Sequence, residues 1–214
     1  MKIAIIGASG YVGSEILNEA LSRGHQVTAM VRNPEKITVK HAKLTVVKSD
    51  VFNEVETTKT LVGHDVVVSS YNPGWQNPNI YADFLKGSET ILNSAKKSGV
   101  SRLLVIGGAG SLEIAPGVQL VDTPEFPAEY KQGALAARDF LNILRKESSF
   151  AWTFLSPAIL LVPGERTGSY RAGTDTPVFN ANGESKITVA DMAIAIVDEL
   201  ENPKYIKKRF TVGY

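Results

Sequence analysis

The sequence predicts an α/β fold: a doubly wound parallel sheet with helices on both faces, in a single domain spanning residues 1–214. Short, continuous apolar segments alternate with amphipathic helical patterns along the whole chain. Such strands are typical of parallel sheets that are buried on both faces. The chain has 214 residues, enough for one domain with a sizeable core, and it shows no repeat, linker or low-complexity segment.

The predicted elements alternate in the order that this fold requires. The predicted strands are the apolar start before Gly7 and residues 26–31, 44–48, 65–70, 102–106, 152–155 and 209–212. The predicted helices, with apolar residues at spacings of three and four, are residues 11–22, 53–61, 80–97, 128–146 and 189–200. Irregular stretches are predicted at residues 71–79, 111–127 and about 163–185, rich in Pro, Gly and polar residues. A small substrate-side region is expected at about residues 157–190.

Composition narrows the possible partners. The formal net charge is +1, so no long-range field favours nucleic acid, and the single run Lys207-Lys208-Arg209 reads as a solvated turn. The absence of cysteine excludes disulfides and thiol chemistry, and the three histidines lack metal-ligand spacing. No apolar run reaches membrane-spanning length. We expect a cytoplasmic monomer or homodimer with a small-molecule partner, no metal, and no nucleic-acid or membrane partner.

Three glycines follow the first strand with the spacing G-x-x-G-x-x-G. Gly7 permits a tight turn, Gly10 allows close approach of phosphates, and Gly13 allows the helix to pack against the strand. The unpaired N–H groups of the helix start can bind a pyrophosphate. An ordinary β-to-α turn is the alternative, but the following helix and strand complete a βαβ unit. The motif therefore predicts a Rossmann-like dinucleotide site that also includes Ser9, Tyr11 and Val12.

The end of the second strand bears on which dinucleotide binds. It reads Val31-Arg32-Asn33-Pro34, with no carboxylate to bond a ribose 2′-hydroxyl. Arg32 would pair with the 2′-phosphate of NADPH. We therefore expect NADPH in preference to NADH; the alternatives are a solvated role for Arg32 and a lesser contribution from Lys36.

Asp50 and Val51 directly follow the third strand. The carboxylate of Asp50 is placed to accept from the adenine amino group, and Val51 to flank the adenine ring. Equally, Asp50 is placed to cap the helix that starts near Asn53. Both interpretations stay open at this point.

Motifs along the whole chain resemble the NADH-flavin reductases of the atypical short-chain dehydrogenase/reductase group, relatives of the biliverdin/flavin reductases and NmrA-like proteins. The most distinctive segments are GGAGSL at 107–112 and PGERTG at 163–168, and the others are the glycine motif, Val31-Arg32-Asn33-Pro34, Ser49-Asp50-Val51, Leu155-Ser156-Pro157-Ala158, Asp191-Met192-Ala193 and RFTVGY at 209–214. The resemblance implies a reduced nicotinamide cofactor. It also suggests cofactor contacts at Ser69, Gly107 and Pro157.

One departure from that family group concerns catalysis. Conventional members carry a Tyr-x-x-x-Lys pair on the helix after the fifth strand, whereas here Tyr130 is followed four residues later by Ala134. Lys131 is the adjacent lysine and lies on a different helical face. Ordinary alcohol or carbonyl chemistry is therefore disfavoured. Asp191, at the start of the last helix, is expected to have an N-cap or nearby structural role.

Candidate catalytic residues are predicted at the carboxyl edge of the sheet. Ser111 is placed to hold the nicotinamide or an acceptor oxygen, and Tyr130 and Lys131 to donate hydrogen bonds. A loop-capping serine and ordinary surface residues are the alternatives. Trp75 and Phe126 lie in the irregular stretches 71–79 and 111–127, which follow the carboxyl ends of strands, where open α/β sheets form the ligand crevice. There they would stack on an isoalloxazine ring or simply anchor the loops.

Hydride transfer to a flavin needs mainly orientation. The leading hypothesis is therefore an NAD(P)H-dependent reductase of a flavin or similar electron-poor acceptor. The second is a non-catalytic NADP(H)-sensing regulator of the NmrA-like kind. A third, an enzyme acting on quinones or nucleotide sugars, suits the chain less well because sugar-nucleotide epimerases usually add a substantial C-terminal domain.

Overall fold

Twelve strands and five α-helices make up the computed structural model, which describes residues 1–214. The strands are β1 (Lys2–Ile6), β2 (Gln26–Val31), β3 (Leu44–Lys48), β4 (Val66–Ser69), β5 (Arg102–Ile106), β6 (Glu113–Ala115), β7 (Val118–Gln119), β8 (Ala151–Ser156), β9 (Leu160–Val162), β10 (Arg171–Gly173), β11 (Lys186–Thr188) and β12 (Lys208–Gly213). The helices are α1 (Tyr11–Ser22), α2 (Glu54–Leu61), α3 (Ile80–Ser98), α4 (Ala128–Lys146) and α5 (Val189–Glu201).

Eight of the strands form the central sheet, in the order β10-β12-β8-β5-β4-β1-β2-β3. Every neighbouring pair is parallel except β10 with β12, which is antiparallel. The chain moves outward from β1 to β3 and then returns to the other side of β1 with β4. The direction of winding therefore reverses between β1 and β4, the position at which open α/β sheets bind ligands.

Two apolar cores lie on opposite faces of this sheet. Alternate residues of one strand enter different cores: Ile3 and Ile5 pack with α1 and α5, whereas Ala4 and Ile6 pack with α3 and α4. This division follows from the period of two along a strand. It explains why the central strands are continuously apolar, and it confirms the predicted doubly wound α/β fold.

The predicted long elements are confirmed, with bounds that differ by at most one residue. The structure adds five short strands, β6, β7, β9, β10 and β11, inside or beside stretches predicted to be irregular. They have two or three residues each, too few for an alternating apolar pattern to indicate a strand. The predicted parallel sheet gains one antiparallel edge strand, because β10, which was not predicted, runs antiparallel to β12.

Side-chain caps define the starts of two helices. The Asn53 side chain accepts from the Glu56 amide at the start of α2, and Thr188 accepts from the Asp191 amide at the start of α5. Asn53 is therefore the cap of α2, and the alternative prediction that Asp50 is that cap is wrong. No helix combines the length and the apolar character that crossing a lipid bilayer requires.

Candidate functional site

Two positions of the glycine motif between β1 and α1 leave no room for a side chain. Gly7 has a φ of +80°, and a Cβ there would lie 2.5 Å from the Ser70 carbonyl oxygen. A Cβ on Gly13 would lie 2.1 Å from the Gly7 oxygen. Backbone surrounds both positions, so α1 reaches this close to β1 only with glycine at each. The predicted roles of these two residues agree with this geometry.

The N-terminus of α1 has backbone donors available for a ligand. Gly10 is the N-cap residue and supplies no side chain to bond the first turn. The amides of Tyr11, Val12 and Gly13 have no hydrogen-bond partner in the chain. Unpaired N–H groups at a helix start attract anionic groups. Together with the tight turn at Gly7, this arrangement fits the pyrophosphate of a dinucleotide.

The side chains predicted beside this turn are accessible. Tyr11 is 52% exposed, Ser9 is half-buried, and neither side chain makes a hydrogen bond within the chain. They flank the unpaired amides and remain predicted cofactor contacts.

Arg32 is exposed at the carboxyl end of β2 and makes no hydrogen bond or ion pair within the chain. Its charge acts on Tyr71, whose pKa is raised to about 12 by burial and by Asp83, with Arg32 opposing and Asp50 reinforcing the rise. Arg32 and Asp50 therefore both lie near the same phenol. A cation free of internal partners at this position is available for an anionic ligand.

Asp50 has a local contact of its own. Its Oδ1 accepts from the amide of Phe52 at 3.0 Å, which closes the turn after β3, and Val51 is 8% exposed. The Asp50 residue itself is exposed, so a carboxylate oxygen stays accessible. Asp50 and Val51 thus lie where an adenine contact is predicted, and that contact stays a prediction.

The ends of β4, β5 and β8 supply the remaining predicted cofactor positions. Ser69 ends β4 and is 4% exposed. A Cβ on Gly107 would lie 1.9 Å from Cζ of Phe154, so a side chain after β5 would have to displace this ring. Pro157 is buried immediately after β8. These three residues end or follow adjacent strands at the carboxyl edge of the sheet. Because none of them is exposed, we expect them to line the cofactor site and not to present exposed binding groups.

Ser111 is held by a buried arginine that the sequence did not single out as functional. Nη1 of Arg209, on β12, donates to the Ser111 carbonyl oxygen at 3.0 Å and to its hydroxyl oxygen at 3.2 Å. Arg209 also donates through Nε to Asp175 at 3.0 Å. Ser111 is 2% exposed. This agrees with the loop-anchoring alternative, while the hydroxyl proton of Ser111 has no acceptor in the chain and stays available.

Tyr130 and Lys131 lie exposed in the first turn of α4. The Tyr130 ring contacts Trp75 edge to face, with centroids 5.1 Å apart, and its hydroxyl has no hydrogen-bond partner. Ala134, where conventional relatives carry the catalytic lysine, is 8% exposed. Neither Lys131 nor any other lysine is hydrogen-bonded to the Tyr130 hydroxyl, so Tyr130 and Lys131 do not form an acid–cation pair.

The PGERTG segment, whose role the sequence left open, is hydrogen-bonded to α1 and α5, which pack on the same face of the sheet. Arg166 makes two hydrogen bonds to Glu19 of α1, at 2.8 and 3.0 Å. Thr167 and Gly168 donate to the two carboxylate oxygens of Asp191 on α5, at 2.6 and 2.9 Å. We call residues 163–168 the strap. It joins the substrate-side region to the helix that carries the glycine turn.

Asp191 has the structural role that its position predicts, although Thr188 is the N-cap. It is fully buried, and burial alone would raise its pKa. Hydrogen bonds from Thr167, Tyr214 and Gly168 outweigh burial and hold the pKa of Asp191 below its usual range. The ionised carboxylate thus ties the strap and the C-terminal tyrosine to the start of α5.

Comparisons with known proteins agree with this geometry. The sequence profile of the family described as NAD(P)H-binding matches residues 7–203. A Bacillus subtilis (strain 168) protein named uncharacterized protein YwnB is 45% identical over 215 residues, covering 99% of this chain and 98% of that protein.

Two solved structures are similar over the full length of this chain. A protein of Bacteroides thetaiotaomicron, provisionally named an epimerase, has a TM-score of 0.94 and 48% identity, with 96% of its own chain covered. A Streptococcus pneumoniae protein, provisionally named an NADH-flavin reductase, has a TM-score of 0.88 and 38% identity, with 99% of its chain covered.

Proposed function

The chain belongs to the NAD(P)H-binding family, and we propose that it is an NADPH-preferring reductase that transfers hydride to a flavin or similar electron-poor acceptor. The membership confirms the predicted kinship with oxidoreductases that bind a nicotinamide cofactor. The observation that carries the proposal is the glycine turn with the unpaired amides at the start of α1, which lie on the same sheet edge as the unpartnered Arg32.

Preference for NADPH rests on Arg32. A guanidinium without an internal partner gains a charge-assisted pair with a 2′-phosphate, and no carboxylate ends β2 to favour NADH. We expect Arg32→Ala to raise the NADPH dissociation constant about tenfold or more and to leave that of NADH nearly unchanged. Isothermal titration calorimetry with both cofactors measures this ratio.

The matched control is Lys36→Ala, which removes an exposed cation from the short turn after β2. It should change the NADPH-to-NADH ratio little. An Arg32→Ala variant with an unaltered ratio would contradict the proposed role of this residue.

Transfer to a conjugated ring suits the residues at the carboxyl edge. The bound reduced nicotinamide supplies the hydride; the chain orients the two rings and excludes water. Tyr130 has no lysine partner, so these residues provide little acid–base help for carbonyl or epimerase chemistry. The Streptococcus pneumoniae relative, 38% identical, supports a flavin as the acceptor.

The reaction is tested by incubating the protein with NADPH and following its loss of absorbance with FMN, FAD, riboflavin and quinones in turn. Saturable NADPH oxidation with a flavin would support the proposal. Oxidation with quinones alone would change the acceptor class.

A regulator that senses NADP(H) is the second candidate, and one observation favours it. Ser111 is 2% exposed and bonded to Arg209, and Tyr130 lacks its lysine, so neither supplies a ready proton-transfer pair. Tight NADPH binding without oxidation by any acceptor would favour this candidate. Failure to bind either dinucleotide would contradict both.

A further inference from the structure

Two large aromatic side chains are exposed side by side on the molecule. Trp75 is 51% exposed in the loop between β4 and α3, and Tyr130 is 44% exposed at the start of α4. Their ring centroids are 5.1 Å apart, and the ring planes meet at 82°. We call these two residues the aromatic corner, since their rings form two nearly perpendicular walls. Phe126, the other aromatic residue considered for stacking, is less exposed and lies toward Gly110.

The aromatic corner is held in place before any ligand arrives. A Cβ on Gly133 would lie 2.7 Å from Cζ3 of Trp75, so the absence of a side chain there lets the indole lie against α4. The loop that carries Trp75 is closed by hydrogen bonds from Gly74 to Asn72 at 2.7 Å and from the Asn77 side chain to Asp83 at 2.8 Å. Preorganised rings lose little conformational entropy on binding.

The position of the aromatic corner follows from the contacts of α4. Ala134 lies against Gly110, with 2.9 Å between its Cβ and the Cβ position of that glycine. Tyr130 is one turn earlier on the same face of the helix. The corner therefore lies beside the loop after β5, at the carboxyl edge of the sheet. In folds of this type that edge forms the ligand crevice.

Both rings keep a free polar group. Neither the Nε1–H of Trp75 nor the hydroxyl of Tyr130 makes a hydrogen bond within the chain. The buried Trp152, by contrast, donates its Nε1–H to the Glu147 carbonyl oxygen at 3.3 Å. The corner thus offers aromatic surface for stacking together with two donors for carbonyl oxygens. A flat ring that carries carbonyl groups meets both requirements.

We propose that the aromatic corner of Trp75 and Tyr130 is the acceptor subsite and that it binds an isoalloxazine ring; this inference rests on the proposed reductase function. The probe is riboflavin, which carries the isoalloxazine ring without a phosphate. Its fluorescence is quenched when the ring stacks on an indole or phenol. Titration of riboflavin with wild-type protein should quench this fluorescence to saturation.

Variants of the corner test the assignment. We expect Trp75→Ala to raise the riboflavin dissociation constant about tenfold or more, a loss typical of one stacking contact. Tyr130→Ala should have a smaller effect in the same direction, and Trp75→Phe should retain part of the affinity. Trp152→Phe is the control, because Trp152 is 2% exposed and its loss should leave riboflavin binding unchanged.

Separate measurements distinguish failure of the subsite from failure of the proposed function. NADPH affinity, measured by calorimetry, should be the same in Trp75→Ala and wild type. Equal riboflavin affinity in all variants, or no riboflavin binding by a wild type that oxidises NADPH with flavins, would overturn the subsite alone. A Trp75→Ala protein that changes from dimer to monomer in sedimentation would also overturn it, since the corner would then be an interface. Riboflavin binding without NADPH oxidation would instead contradict the reductase function.

Discussion

Gly10 and Gly13 belong to one motif, but they occupy different surroundings. A Cβ on Gly13 would lie 2.1 Å from backbone oxygen and 2.8 Å from backbone carbon of Gly7, so alanine there must move α1 away from β1. A Cβ on Gly10 would have one neighbour, the Gly7 oxygen at 3.3 Å. We expect Gly13→Ala to lower the free energy of unfolding by about 1–3 kcal/mol. Gly10→Ala should cost less stability and should mainly weaken NADPH binding.

Urea unfolding and NADPH calorimetry on both variants check this separation. If Gly10→Ala left NADPH affinity intact while Gly13→Ala remained as stable as wild type, the assigned roles of both glycines would be wrong.

Ser111 is a predicted catalytic residue whose hydrogen bonds the structure defines. Its hydroxyl oxygen accepts from Arg209, and its proton is free to donate. We expect Ser111→Ala to lower kcat for NADPH-dependent flavin reduction about tenfold while NADPH affinity stays constant, because one donor to the reacting pair is lost. Arg209 keeps its bonds to the Ser111 carbonyl oxygen and to Asp175, so the free energy of unfolding should change by only about 1 kcal/mol. An unchanged kcat would leave Ser111 with an anchoring role alone.

At the scale of elements, the strap depends on ionised carboxylates. Hydrogen bonds from Arg166 lower the pKa of Glu19 despite the opposing effect of burial, and Arg23 adds to the decrease. A carboxyl whose pKa is lower in the folded state stabilises the fold above its unfolded pKa, about 4.3, and loses that contribution as the pH falls. We expect the urea midpoint of Arg166→Gln to be lower than that of the wild type at pH 7. Near pH 3 the two midpoints should lie closer together.

The control for the strap is Arg145→Gln, since Arg145 reaches its half-exposed partner Asp175 only at 3.5 Å. Its urea midpoints should follow those of the wild type at both pH values. Equal effects of the two substitutions would mean that the Arg166–Glu19 contact adds nothing specific.

How far the sequence predicts the molecule also depends on the element. The βαβ unit and α4 were predictable because apolar spacing and glycine positions are local signals. The strap contact was not, because Arg166 and Glu19 are separated by 147 residues and meet only after the sheet has formed. The pairing of Arg209 with Ser111, across 98 residues, was hidden for the same reason. The backbone geometry of the glycine turn was therefore easier to predict than these long-range contacts.

At the scale of the whole molecule, one sheet serves both cores, so ligand binding at its winding reversal should stabilise the entire chain. Residues of β1 contribute to both cores, and β1 leads directly into the glycine turn. At an NADPH concentration of about 100 times its dissociation constant, binding adds about 2.7 kcal/mol to the free energy of unfolding. For a chain of this size that corresponds to an increase in Tm of about 5–10 °C.

Circular dichroism and the fluorescence of buried Trp152, recorded in a Trp75→Phe background, should report this increase in one coincident transition. Trp152 lies on β8, three strands from β1, so its response tests whether stabilisation at the glycine turn extends across the sheet. Arg32→Ala at the same NADPH concentration should show a smaller increase, because the affinity is lower. Two separate transitions, with Trp152 unresponsive to NADPH, would instead mean that the two sides of the sheet unfold independently.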